Sequence, residues 1–258
     1  MNSLFKKYSV TLFSALILII YIPITSAKVH APATKNNRLI STAKSNALNA
    51  EIIYAKMNLQ EMGLSEEAFN YAFQGYEYLL SQNKLENEDI LTVLDFGLPS
   101  SAKRLFVIDL KNQKVLYNTY VAHGRNSGKE YASQFSNEPE SFKSSLGFFI
   151  TKGTYFGAHG FSLQLEGEEK GINDNALSRA IVMHSADYVN KNLIKQQGYI
   201  GRSLGCPALP KELYKPIIEK IKDGSCLFIY SPNQGYATHS KILQLAYSSI
   251  QNSNDSLL

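Results

Sequence analysis

Between residues 51 and 80 apolar side chains recur at spacings of three and four: Ile52, Ile53, Tyr54, Met57 and Leu59, then Ala68, Phe69, Ala72, Phe73, Tyr76, Leu79 and Leu80. That period puts them on one face of a helix, so residues 51–89 are expected to form a helical N-terminal segment. Gly63 stops a first helix, and Ser65 followed by Glu66 and Glu67 offers an N-cap with acids in the first turn of a second. From residue 90 the pattern changes to short runs rich in β-branched and aromatic residues, broken by turn residues. Residues 91–96, 104–109, 115–122, 146–151, 162–165 and 180–184 each predict a strand, with a hairpin loop at 111–114. Leu213, Ile217, Ile218 and Ile221 lie at helical spacing within 211–222, and Asp223-Gly224 ends that helix before a strand at 226–230. The pattern predicts a mainly β domain with packed helices, an α+β fold, over residues 90–232, followed by a C-terminal tail over 233–258.

The start of the chain has a different composition. Lys6 and Lys7 precede an apolar stretch from Val10 to Ile24, which closes on Thr25-Ser26-Ala27. This is the layout of a signal peptide over residues 1–27, cleaved after Ala27. An uncleaved anchor is the rival reading, but the stretch is short against the roughly 20 residues that span a bilayer. Residues 28–50, rich in Ala, Asn, Ser, Thr and Lys, are expected to be a linker. The protein is therefore expected to be exported, to the periplasm or the cell envelope. The formal net charge is +4, and Lys6 and Lys7 leave with the leader. No run of Lys or Arg exceeds two residues, so nucleic acid is not an expected partner.

Only two cysteines are present. An oxidising compartment makes a Cys206–Cys226 disulfide a fair alternative. Cys226, however, opens the apolar run of the last strand, where a free thiol behaves as a small hydrophobe. Cys206 sits instead in Gly201-Arg202-Ser203-Leu204-Gly205-Cys206-Pro207-Ala208, a tight turn. Gly205 permits dihedrals closed to other residues and Pro207 fixes the exit, so the amides of Gly205 and Cys206 could face one oxyanion. A thiol attacks a carbonyl as thiolate and needs a base. His184, at the end of the predicted strand 180–184, is the favoured partner; a merely packed histidine is the bland alternative. His123, Arg125, His159 and Arg202 are further cleft candidates, each weighed against a structural or surface role. The five histidines include no His-x-His or His-x3-His pair, so neither metal nor cofactor is expected.

His184-Ser185 followed by Ser203-Leu204-Gly205-Cys206, and preceded by the runs 121–125, 144–149, 157–160 and 171–174, resembles the catalytic domain of murein L,D-transpeptidases. More narrowly it is similar to a branch with a Gly-Arg-Ser-x-Gly-Cys-Pro-Ala signature. The resemblance covers residues 90–232. It implies a β-sandwich-like catalytic domain in which Cys206 is the nucleophile and His184 its base and later proton donor. It also implies that the Ser185 carbonyl fixes the imidazole tautomer and that the amides of Gly205 and Cys206 form the oxyanion hole. Arg202, Ser203, His159, His123 and Arg125 would then line the substrate. The better-known branch carries Ser-His-Gly-Cys, and here Leu204 takes the place of that histidine.

The activity so implied is acyl transfer on peptidoglycan stem peptides through a Cys206 thioester, with release of a terminal D-alanine. The acceptor would be an amine of a neighbouring stem peptide or of a wall-linked protein. Two alternatives stay open: an L,D-carboxypeptidase-type hydrolase, in which water takes the acyl group, and a non-catalytic wall-binding module.

Overall fold

The computed structural model describes residues 50–232 and 234–246, so the expected signal peptide and nearly all of the linker lie outside it. Residues 50–56 are helical and lead through turns to helix α1 (Glu66–Ser81). Ser65 is its N-cap: the backbone is extended and Oγ accepts from the Ala68 amide at 3.3 Å. Glu66 and Glu67 complement the positive end of the helix. The face that buries Ala68, Phe69, Ala72, Phe73, Tyr76 and Leu79 is the one predicted from the spacing.

Eight strands follow among the described residues: β1 (Ile90–Asp95), β2 (Leu105–Asp109), β3 (Lys114–Thr119), β4 (Gly147–Gly157), β5 (Gly160–Gly167), β6 (Val182–Ser185), β7 (Ala208–Leu209) and β8 (Cys226–Tyr230). They form a mixed sheet in the order β3-β2-β1-β8-β4-β5-β6-β7. Pairing is antiparallel except for β1 with β8 and β6 with β7. The sheet curls nearly into a barrel with helices packed on it, which is the α+β class expected. Strands β1, β2 and β8 are buried along their whole length, which is why they read as nearly continuous apolar runs, with Thr92 as the one polar residue inside β1.

Helix α1 lies against β1 and β8 at the centre of the sheet. The close approach is made at Gly75, where an added Cβ would fall 1.9 Å from Cζ of Phe148. Phe148 is itself fully buried and stacked on Phe228, with ring centroids 4.3 Å apart. It has nowhere to move.

Three elements differ from the sequence expectation. Strand β4 runs to Gly157 because the β4–β5 hairpin projects past the core; its outer half is exposed and lacks the alternation that marks a half-buried strand. Helix α2 (Lys191–Gln197) buries no side chain completely, so no apolar stripe announces it. Residues 234–246, assigned above to the tail, contain helix α4 (Gln234–His239) and a helical stretch at 241–246, following α3 (Tyr214–Ile221). Tyr236, Ile242 and Leu243 are buried in the core. Tyr236 Oη donates to Glu169 at 2.8 Å and Ser240 Oγ donates to the same carboxylate, which also accepts from the Phe148 amide at 2.9 Å. Only the fold brings this buried acid to the last helices.

Gly75→Ala sets two effects against each other. Helix propensity favours alanine by about 1 kcal/mol, whereas overpacking a rigid core costs about 1–3 kcal/mol. With Phe148 unable to yield, the clash prevails, and urea denaturation is expected to show a net loss of stability. An unchanged or raised midpoint would refute this account of the α1 packing.

Candidate active site

Cys206 lies on a buried turn between the segment 121–125 and strand β6. A turn of this kind has no ladder to satisfy its polar groups, so each must find its own partner. The Ser203 amide donates to His123 O at 2.9 Å, and Ser203 O accepts from the Arg125 amide at 2.8 Å. Ser203 Oγ donates to Cys206 O at 2.6 Å and accepts from the Gly205 amide at 3.1 Å. Gly205 O accepts from Ser144 Oγ at 3.1 Å, and Ser144 Oγ accepts in turn from the Gly124 amide at 3.0 Å. Beyond the cysteine, Pro207 O accepts from the His184 amide at 3.4 Å and Ala208 O from the Ala122 amide at 2.9 Å. Gly205 has φ +126°, and a Cβ there would stand 3.0 Å from the carbonyl oxygen of Lys143. Glycine is required on both counts.

Strand β6 meets this turn by pairing His184 with Ala208 and Ser185 with Leu209. His184 Nδ1 and Ser185 O are 2.8 Å apart. A carbonyl only accepts, so Nδ1 carries the proton and Nε2 keeps its lone pair. Burial holds the His184 pKa below the usual histidine value, against the Ser185 hydrogen bond and with a smaller push from His159. His159, at the exposed tip of the β4–β5 hairpin, stacks on His184 with centroids 4.3 Å apart.

The sulfur itself is enclosed by the segment that leads into β6. Val182 N–H points at Sγ at 3.5 Å, and the thiol points at Ala180 O at 3.6 Å. Among the described residues no hydrogen bond joins Sγ to the His184 ring. Burial raises the Cys206 pKa, opposed by the Val182 amide and by Arg179. A raised thiol and a lowered imidazole both favour the neutral forms of Cys206 and His184. Both cysteines are free; Cys226 is fully buried on β8, and burial pushes its pKa far up.

Several expectations need correction. His123 is not a cleft residue. It is fully buried, Nδ1 accepts from Arg104 Nη2 at 2.7 Å, and Nε2 reaches Gly128 O at 3.3 Å. Burial, then Arg104, push its pKa down to about 3. Arg104 is buried as well, donating to the carbonyls of Leu98 and Val121 and lying 4.6 Å from the centroid of the Phe96 ring. Ser203 is buried and spends its hydroxyl on closing the turn, so it is not free for substrate. The Gly205 amide is committed to Ser203 and cannot serve an oxyanion, which leaves the Cys206 amide of the expected pair. Arg125 is exposed and lies over the Phe142 ring, 4.2 Å from its centroid. Arg202 is exposed and donates to Gly128 O at 3.1 Å. Leu204 is 58% exposed beside the cysteine, an apolar side chain at the mouth of the site.

Two residues near the sulfur were assigned no role from sequence. Ser144 belongs to a run quoted above only for its resemblance. Arg179 immediately precedes the predicted strand 180–184, and a lone cation abutting a buried strand that ends in a candidate base is the signal that could have found it. Among the described residues no three His, Cys, Asp or Glu side chains gather as metal ligands would.

Comparison with known proteins places this geometry in a family. A model described as the L,D-transpeptidase catalytic domain matches residues 60–230, a span that begins before α1. No curated protein matches the chain. Among solved structures, an L,D-transpeptidase from Mycobacterium smegmatis is 14% identical with a TM-score of 0.35, over 55% of this chain and 59% of that one. An L,D-transpeptidase in complex with imipenem gives 14% and 0.34 over the same shares, so the chain spans about three fifths of the length of each. An L,D-transpeptidase from Stackebrandtia nassauensis is 13% identical with a TM-score of 0.34, over 78% of this chain and 92% of that one. With the family model covering well over half of its length, the chain belongs to the L,D-transpeptidase catalytic-domain family.

Proposed function

We propose that the chain is an exported cysteine acyltransferase that acts on peptidoglycan stem peptides. Cys206 Sγ attacks the carbonyl of the residue preceding a terminal D-alanine while its proton passes to His184 Nε2. The oxyanion that forms is met by the Cys206 amide. The C–N bond then breaks, His184 returns the proton to the departing amine, and D-alanine leaves a thioester on the sulfur. An amine from a neighbouring stem peptide, or from a wall-linked protein, takes the acyl group and regenerates the thiol. What carries this reading is the His184 tautomer: Nδ1 is held by Ser185 O, so Nε2 is the basic nitrogen, on a strand paired to the turn that bears the thiol.

Export follows from the basic, apolar and small-residue layout of residues 1–27. N-terminal sequencing of the envelope fraction is expected to begin at Lys28, and an uncleaved Met1 form would argue for an anchor instead.

Incubation of the mature protein with purified sacculi is expected to yield new stem-peptide dimers and free D-alanine. Trimmed monomers alone would convert the assignment to hydrolysis. Cys206→Ala should abolish both products and the mass adduct formed with imipenem; if it behaves as the parent, the assignment fails. His184→Gln is expected to slow thioester formation by about 10²–10⁴-fold.

The pH dependence has a definite sign. His184 works as a base only when neutral, and its pKa is lowered by burial. kcat/KM should therefore rise with pH through a midpoint below the ordinary histidine value of about 6.5. A rising midpoint at or above that value would mean that the controlling group is not a His184 held low by burial, and would overturn the neutral-pair chemistry.

A further inference from the structure

Among the described residues, Arg179 is a charged side chain that reaches the cysteine turn at Gly205 and that the proposed reaction leaves unused. Its guanidinium is held on all sides. Nη1 donates to Ser136 O at 2.8 Å and Ser145 Oγ at 2.6 Å, while Nη2 donates to Lys143 O at 2.8 Å and Ser141 Oγ at 3.2 Å. The four terminal N–H groups are thus spent on the loop 136–145, and no bidentate face is left for a substrate carboxylate. Nη2 also stands 3.6 Å from the place a Cβ would take on Gly205, directly before the nucleophile. The next residue, Ala180, has φ +52°, a left-handed conformation that alanine rarely adopts, and its carbonyl is the one the Cys206 thiol points at. The strained step between Arg179 and Ile181 turns the cation and that carbonyl toward the same turn.

We infer that Arg179 is a positioning residue for the Cys206 turn: it fastens the 136–145 loop around Gly205 and sets a fixed, half-buried positive charge against the sulfur as it loses its proton. This rests on the reading of Cys206 as nucleophile. When the S–H proton moves to His184 Nε2, the sulfur becomes negative in a site where burial opposes that charge, and a cation already held by four hydrogen bonds needs no rearrangement to meet it. The mutual influence runs both ways: Arg179 pulls the thiol pKa down against burial, and Cys206 opposes the lowering of the arginine by burial. The titratable groups around the sulfur are Arg179 before β6, His184 on it and Tyr188 after it; Glu138 on the loop faces Arg179.

The test is the pH dependence of Cys206 alkylation by iodoacetamide in the mature protein, followed by peptide mass. This readout needs no wall peptide. Arg179→Gln is expected to move the alkylation midpoint up by about one pH unit, which is about tenfold less thiolate at a given pH below it. Arg179→Lys keeps the charge and should hold the midpoint within a few tenths of the parent, although it loses the forked hydrogen bonds and melts at a lower temperature. A parental midpoint in a folded Arg179→Gln protein overturns the inference. So does a shift as large in the lysine variant as in the glutamine variant. If Arg179→Gln does not fold, the lysine variant decides alone: a midpoint near the parent's supports the role and a one-unit shift refutes it. A shifted midpoint in a protein whose parent leaves sacculi untouched would sink the proposed activity and keep Arg179. An unshifted midpoint in a protein whose parent cross-links sacculi would do the reverse.

Discussion

Burying a turn that is neither helix nor strand is the constraint on which the rest of this structure depends. Each amide and carbonyl left without a partner in such a turn costs about 1–3 kcal/mol. Here the partners of residues 203–208 come from three separate stretches of chain: 122–125, Ser144, and strand β6. Satisfying the turn therefore fixes the relative places of the segments that make up the site. The sulfur, the imidazole and the Cys206 amide are positioned as a by-product of hydrogen-bond accounting.

Two buried charges extend the same logic outward. Arg104 is lowered to about 9 by burial, with Asp95 pulling it back, and its donors hold Val121 and His123 in the stretch that receives Ser203. Glu169 gathers the Phe148 amide, Tyr236 and Ser240, tying the start of the loop that leads to Arg179 to the last helices of the chain. Removing a hydrogen-bond partner from a buried charged group costs more than the roughly 1–3 kcal/mol of a neutral one. The histidine at 123, which in sequence looks like a candidate for chemistry, is instead part of this support. Its neutral form accepts from a buried guanidinium, and protonation would place two positive charges together.

The chemical consequence is a thiol and an imidazole that both favour their neutral forms. Burial opposes both the thiolate and the imidazolium, so an ion pair between the two is disfavoured. The His159 ring over His184 and the exposed Leu204 beside the nucleophile give the site an aromatic and an apolar wall. Leu204, two residues before the cysteine, presents a hydrocarbon surface there.

What the sequence by itself determined is local. The period of three and four specified α1, and Ser65 its start. Nearly continuous apolar runs specified β1, β2 and β8, because strands buried on both faces need no polar alternation. Gly205 and Pro207 announced a special turn, and the end of an apolar run announced His184. Each of these is decided by neighbours within a few residues. Only the tertiary structure decided which polar groups are spent and which are free. The Gly205 amide, the Ser203 hydroxyl and the His123 ring look available in sequence and are consumed by partners 2, 3 and 19 residues away. Arg179 and Glu169 look like surface charges, yet they are drawn inward by contacts that span 21 to 71 residues. Hydrogen bonds saturate, and a group's chemistry is whatever remains after the fold has claimed its share.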